Sequence, residues 1–152
     1  MTKAIELIAA PRVKIAEIVK ELSLEQLNAV PQGFNNNIIW NVGHVIAAQQ
    51  GICYKRLGLD LVVEEDFFET FKPGSKPERF FDAADVEKII GLLTSTITQL
   101  EADLQTDKFA NYPTWTTRYG AELTSINDAV SFLPFHEGLH IGAIIALRKM
   151  VG

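Results

Sequence analysis

SINDAVSFLPFHEGLHIGAIIALRKM, residues Ser125 to Met150, is the longest uninterrupted helical pattern in the chain. Ser125 opens it, with Asp128 three residues on, an S-x-x-D capping pattern. Pro134 falls inside and should bend the helix near Val130. His136 and His140 stand one turn apart on one helix face. That is the spacing at which two imidazoles can bind one metal ion. The chain has only three histidines. The third, His44, lies in another apolar helical pattern, NNNIIWNVGHVIAAQQG. A three-histidine site joining two helices is the central expectation.

Two further long helices accompany these. The first runs from about Lys3 to Leu22, with Ile5, Ile8, Val13, Ile15, Ile18, Val19 and Leu22 approximating a stripe. Pro11 makes it either a kinked helix or a frayed turn followed by a helix that starts at the proline. Ser23 to Gln26, SLEQ, is a capping box that announces a short helical turn. PQGFNNN, Pro31 to Asn37, breaks the chain, and one of its asparagines should cap a helix from about Ile38 to Leu57, ended by Gly58. The third long helix spans about Ala83 to Leu104, capped by Asp82 or Asp85. Val86, Ile90, Leu93, Ile97, Leu100 and Leu104 keep the 4-3-4-3-4 rhythm of a packed helix seam.

Two long connections remain. Gly58 to Phe81 holds five of the nine phenylalanines, which read first as staples fastening a loop to the core. Gln105 to Leu123 has β-favouring residues from Tyr112 to Tyr119 but no evident pairing partner, and reads as loop. Four main helices with two long connections predict an all-α fold, a four-helix bundle with two crossover connections, as one domain over residues 1–152.

Composition bounds the function. Hydrophobic content of 47% and charged content of 22% suit a folded soluble protein. A net charge of −5 argues against nucleic acid or anionic membrane as partner. The single cysteine, Cys53, excludes an intrachain disulfide framework and fits a reducing compartment. The N-terminal residues make a poor signal peptide, and no stretch approaches the roughly 18 apolar residues of a membrane span. A cytoplasmic location is the expectation.

A three-imidazole set suits zinc or a similar ion, because catalytic sites commonly use three protein ligands plus water. Ala47, Ala48 and Gly51 share the His44 face and leave room for an ion and a substrate. Cys53 points elsewhere on the same helix and is a poor fourth ligand. HEGLH, His136 to His140, also matches the H-E-x-x-H metalloprotease signature, with Glu137 as general base. Those proteases take a third ligand downstream, and the residues after His140 include no His, Asp, Glu or Cys. The protease reading is therefore weak, while Glu137 stays a candidate base or a hydrogen-bonding partner of a ligand. Against all this stands the plain alternative of histidines satisfied within the core. For Trp40 and Trp115 ordinary packing outweighs substrate stacking, and Cys53 reads as a small buried hydrophobe.

With these residues in view, the chain resembles the DinB-like superfamily of small bacterial four-helix proteins. The matching parts are the SLEQLN turn, the N-x-x-W-x-x-x-H run at Asn37, Trp40 and His44, and the H-E-x-x-H-x-G run from His136 to Gly142. The resemblance implies a four-helix bundle, frequently a homodimer, that binds zinc, nickel or a similar divalent ion through His44, His136 and His140. It also implies a small-molecule substrate, with relatives that use low-molecular-weight thiols such as bacillithiol or mycothiol in transferase or isomerase reactions. The chain departs from the pattern at Ala143, where many members carry Gln, which removes support for a polar role there. Two functions follow as expectations. One is a metal-dependent thiol S-transferase or hydrolase; the other is a non-catalytic binding or structural protein of the same fold, its helices stapled by metal or its histidines inert.

Overall fold

The computed structural model describes residues 2–152. Four long helices build it: α1 (Lys3–Lys20), α3 (Ile38–Cys53), α5 (Ala83–Asp103) and α6 (Ile126–Val151). Two short ones, α2 (Leu24–Asn28) and α4 (Glu65–Phe71), lie in the connections. The main packing pairs are α6 with α3 and α1, and α5 with α1 and α3. Consecutive long helices are therefore not each other's chief partners.

Local chemistry marks most boundaries. Thr2, Ser23, Asn37, Asp82 and Ser125 each accept a backbone N–H at a helix start, satisfying donors that the helix cannot. Reciprocal capping boxes form at Ser23 with Gln26 and at Asp82 with Asp85. Gly58, at φ 71°, closes the turn after α3 in the left-handed region that only glycine enters freely. Pro11 and Pro134 both sit inside continuous helices.

The structure corrects several expectations. The buried stripe of α1 is Ile5, Ile8, Arg12, Ile15 and Val19, while Val13 is exposed. An arginine thus occupies a seam position between isoleucines. On α5, Ile89, Thr96 and Asp103 are buried alongside Val86, Leu93, Ile97 and Leu100, so the buried face is wider than the seam predicted. The segment after Gly58 contains α4, which packs on α3. Phe67, Phe68, Phe71 and Phe81 are buried, consistent with stapling, whereas Phe80 is exposed. The 105–123 segment is not all loop. Trp115–Thr116 (β1) pairs antiparallel with Glu122–Leu123 (β2), and the partner strand lies just beyond a turn at Gly120, φ 84°.

One helix departs from the membrane expectation. An 18-residue window of α6 has a mean hydropathy of 1.4, enough by length and composition to cross a membrane. In the fold this helix packs against α1 and α3, and its buried Glu137 is paired with Arg12. Length and composition alone do not place a helix in a membrane, and 28% of this window is buried within the fold.

The middle of α3 is buried on every side, from Ile38 to Gln50. Its contact with α4 depends on Gly43, where an added Cβ would lie 2.4 Å from the Phe71 ring. Gly51 likewise faces Phe68, at 3.4 Å. The space beside it is filled by a phenylalanine rather than left for a ligand.

Candidate metal centre

The structure brings His44, His136 and His140 together: one ring nitrogen from each lies within 4.8 Å of the others. His44 arrives on α3 and the other two on α6. The ring centroids are 4.4 Å apart for His44 and His140, 4.7 Å for His136 and His140, and 5.3 Å for His44 and His136. No carboxylate or thiolate joins this group among the described residues.

The other nitrogen of two rings is already committed. His44 Nδ1 is 2.7 Å from the Phe71 carbonyl oxygen. A carbonyl only accepts, so Nδ1 carries the proton and Nε2 is left with its lone pair. His140 Nδ1 is 2.8 Å from Asn41 Oδ1. The Asn41 amide nitrogen donates to Asn36 Oδ1 at 3.0 Å and to the Asn37 carbonyl at 2.8 Å. These two acceptors turn the amide oxygen toward His140, which again places the proton on Nδ1. Metal-binding imidazoles are held in this way, with one nitrogen donating to a carbonyl or amide oxygen and the other free to ligate.

His136 differs. Its Nδ1 is buried and has no hydrogen-bond partner. Buried polar atoms without partners are uncommon, and a bound ion is one thing that satisfies them. Electrostatics agrees with the geometry. Burial lowers the pKa of all three rings, with a backbone hydrogen bond opposing at His44. His136 falls to about 4 through burial, the neighbouring His44 and the charge of Arg118. His140 falls to about 3 through burial and the other two imidazoles. Near neutral pH all three are uncharged, the form in which imidazole binds a metal. The donor set therefore fits a divalent ion.

Trp40, one turn before His44, stacks on that ring at 4.6 Å with planes 12° apart. Its indole N–H donates to Ser75 Oγ at 3.1 Å, tying the segment after α4 to α3. This is packing, and it fixes the imidazole plane.

Glu137 faces away from the convergent nitrogens. Its carboxylate receives Nε of Arg12 at 3.1 and 3.2 Å and is also bound by Arg12 Nη2. Arg12 Nη1 donates to the Leu93 carbonyl and to Thr96 Oγ1, each at 3.1 Å. Both side chains are almost wholly buried. Burial raises the Glu137 carboxyl pKa, with the Arg12 charge opposing. The pair links α1, α5 and α6 one residue from His136.

Cys53 is fully buried, and burial pushes its thiol up to about 12. A cavity of about 800 Å³ lies where α1 and α6 begin, lined by Thr2, Phe109, Ser125 and Val130 among others. It includes none of the three histidines.

Sequence reasoning found the three imidazoles and missed what holds them. Asn41 shares the His44 helix face three residues earlier, which was a usable signal. Arg12 interrupts the stripe Ile5, Ile8, Ile15 and Val19 at a seam position, and a charge there calls for a buried partner. The Phe71 carbonyl left no trace in the sequence, because α4 itself was not anticipated.

A bundle of long helices with three neutral imidazoles converging from two packed helices defines a class: helical proteins with a centre compatible with a divalent metal. Residues 8–144 match the model of the DinB superfamily, and the chain belongs to that superfamily. No functionally curated protein matches it.

Proposed function

We propose that this protein is a divalent-metal-dependent enzyme acting on a small molecule, by thiol S-transferase-like or hydrolytic chemistry. His44, His136 and His140 would hold the ion, zinc or nickel being the candidates. The observation that carries this reading is the pair of Nδ1 hydrogen bonds, to the Phe71 carbonyl and to Asn41. Together they leave Nε2 of two clustered neutral imidazoles free to ligate. When bound, such an ion lowers the pKa of a thiol or water and stabilises developing negative charge.

The chain's own residues do the rest. Phe71 and Asn41 keep the ligand rings oriented and in one tautomer. Trp40 covers one face of His44 and restricts water there. Glu137, held by Arg12 on the side of α6 that faces α1, sets the rotation of that helix and is poorly placed as a base. Cys53 is buried with its thiol far above neutral, so a thiol nucleophile would come from the substrate.

The test is elemental analysis of untagged protein beside a variant with all three histidines changed to alanine. About one zinc or nickel per chain, lost in the variant, supports the centre, and thiols are then screened with electrophiles. Turnover that is unchanged in His140→Ala would sink the catalytic reading. Folded protein that neither contains nor takes up metal would sink the centre itself.

A further inference from the structure

A run of aromatic side chains leads outward from His136 and takes no part in holding a metal. The Phe132 ring is 6.3 Å from His136, Phe135 is 5.6 Å from Phe132, and Tyr119 meets Phe135 edge-on at 5.1 Å. Phe135 and Tyr119 are 50% and 51% exposed. Arg118 stands at the outer end, its guanidinium 5.7 Å from the Tyr119 ring centre.

Packing does not account for this arginine. A separation of 5.7 Å is near the outer limit, about 6 Å, for a cation above a ring. Arg12, Arg79 and Arg148 are each paired with a carboxylate, and Arg56 lies 3.6 Å over Trp115. Arg118 is exposed and has no carboxylate partner among the described residues. The tip that carries it is well defined: Thr117 N–H donates to the Ala121 carbonyl at 2.8 Å, and Ala121 N–H to Thr117 Oγ1 at 3.1 Å. Thr117 is buried, while Gly120 makes the turn at φ 84°.

We infer that this run is the substrate shelf of the histidine centre. Phe132, Phe135 and Tyr119 take a flat apolar body, and Arg118 takes an anionic tail, a carboxylate or its equivalent. The substrate class is then a small molecule with a metal-seeking head, an apolar middle and a negative end. A guanidinium fork suits a carboxylate because it donates two parallel hydrogen bonds. The shelf rests on the reading of the histidines as a metal centre.

The test uses full-length protein loaded with cobalt(II), titrated with 4-(mercaptomethyl)benzoate and with its uncharged counterpart phenylmethanethiol. Binding is followed through the thiolate-to-cobalt absorption band. The wild type should bind the anionic thiol about tenfold more tightly than the neutral one. Arg118→Gln should abolish that preference while leaving cobalt content and neutral-thiol affinity unchanged, and Arg118→Lys should keep part of it. Phe135→Ala should weaken both thiols. Preference retained in Arg118→Gln overturns the shelf, as does cobalt uptake with no binding of either thiol. A protein that takes up no cobalt removes the metal reading, and the shelf with it.

Discussion

The hydrogen bond between His140 Nδ1 and Asn41 Oδ1, 2.8 Å long, has its direction set from the asparagine side. Both protons of the Asn41 amide are already spent on the Asn36 side chain and the Asn37 carbonyl, just before α3, so the oxygen can only accept from the imidazole. A residue of one helix thereby decides which nitrogen a residue of another presents.

Replacing Asn41 with leucine should therefore weaken metal binding by about tenfold to a hundredfold, the usual cost of losing the partner behind a ligand. Asn41→Asp keeps an acceptor for His140 but sets its second oxygen against Asn36 Oδ1 and the Asn37 carbonyl, so it should recover only part of the affinity that leucine loses. Competition with a chromophoric chelator measures both. Equal affinity in the leucine variant would show that the asparagine does not hold the ring.

Removing one member of the buried Arg12–Glu137 pair should be costly. Glu137→Ala leaves a cation unpaired between α1, α5 and α6, which typically destabilises by about 3–5 kcal/mol. Arg12→Met with Glu137→Met should recover much of that loss. Urea denaturation of the three proteins decides; a single variant within about 1 kcal/mol of wild type would contradict the burial described.

Acidification should unfold the metal-free protein through its histidines. The folded values lie below the ordinary 6.5, at about 4 for His136 and about 3 for His140, with His44 also lowered. The unfolded chain then takes up protons first, so stability is fully present above pH 6.5 and is lost as pH falls toward the folded values. Denaturant midpoints from pH 7 to pH 4 should drop more steeply for wild type than for the triple-alanine variant. Parallel curves would refute the assigned shifts.

Gly43→Ala and Gly51→Ala should part company. The first places a Cβ 2.4 Å from the Phe71 ring and the second only 3.4 Å from Phe68. Overpacking at Gly43 should cost about 1–3 kcal/mol and, by moving Phe71, loosen its carbonyl from His44. Thermal melts and metal affinity should fall together in that variant and hold in the other.

Cys53 should be silent toward an aromatic disulfide reagent in native protein and react with it only after unfolding, since its thiol is buried and raised to about 12. Rapid labelling under native conditions would show that the α3 interior opens.

Much of this was legible in the chain. Caps at Ser23 and Ser125, a cap among Asn35 to Asn37 and another at Asp82 or Asp85, the rhythm of α5, and two histidines a turn apart are local features, and local features can be read from order alone. What escaped was long-range. Arg12 makes sense only beside Glu137, β1 only beside β2, and the Phe71 carbonyl only once α4 lies on α3. The small residues on the His44 face were legible but ambiguous. Gly51 makes way for Phe68, a neighbour no periodicity could name.

The bond between Arg12 and Glu137 spans 125 residues of chain, and it reaches from the first helix to the last. A nascent chain that has made α1, α3 and α5 carries a guanidinium on the seam of α1 and nothing of opposite charge to meet it. The interior therefore cannot close favourably before α6 exists, and pairings of such sequence separation form slowly. Folding order and the assembly of the histidine cluster are thus tied to the same late event: the arrival of the last helix completes the interior and delivers two of the three imidazoles.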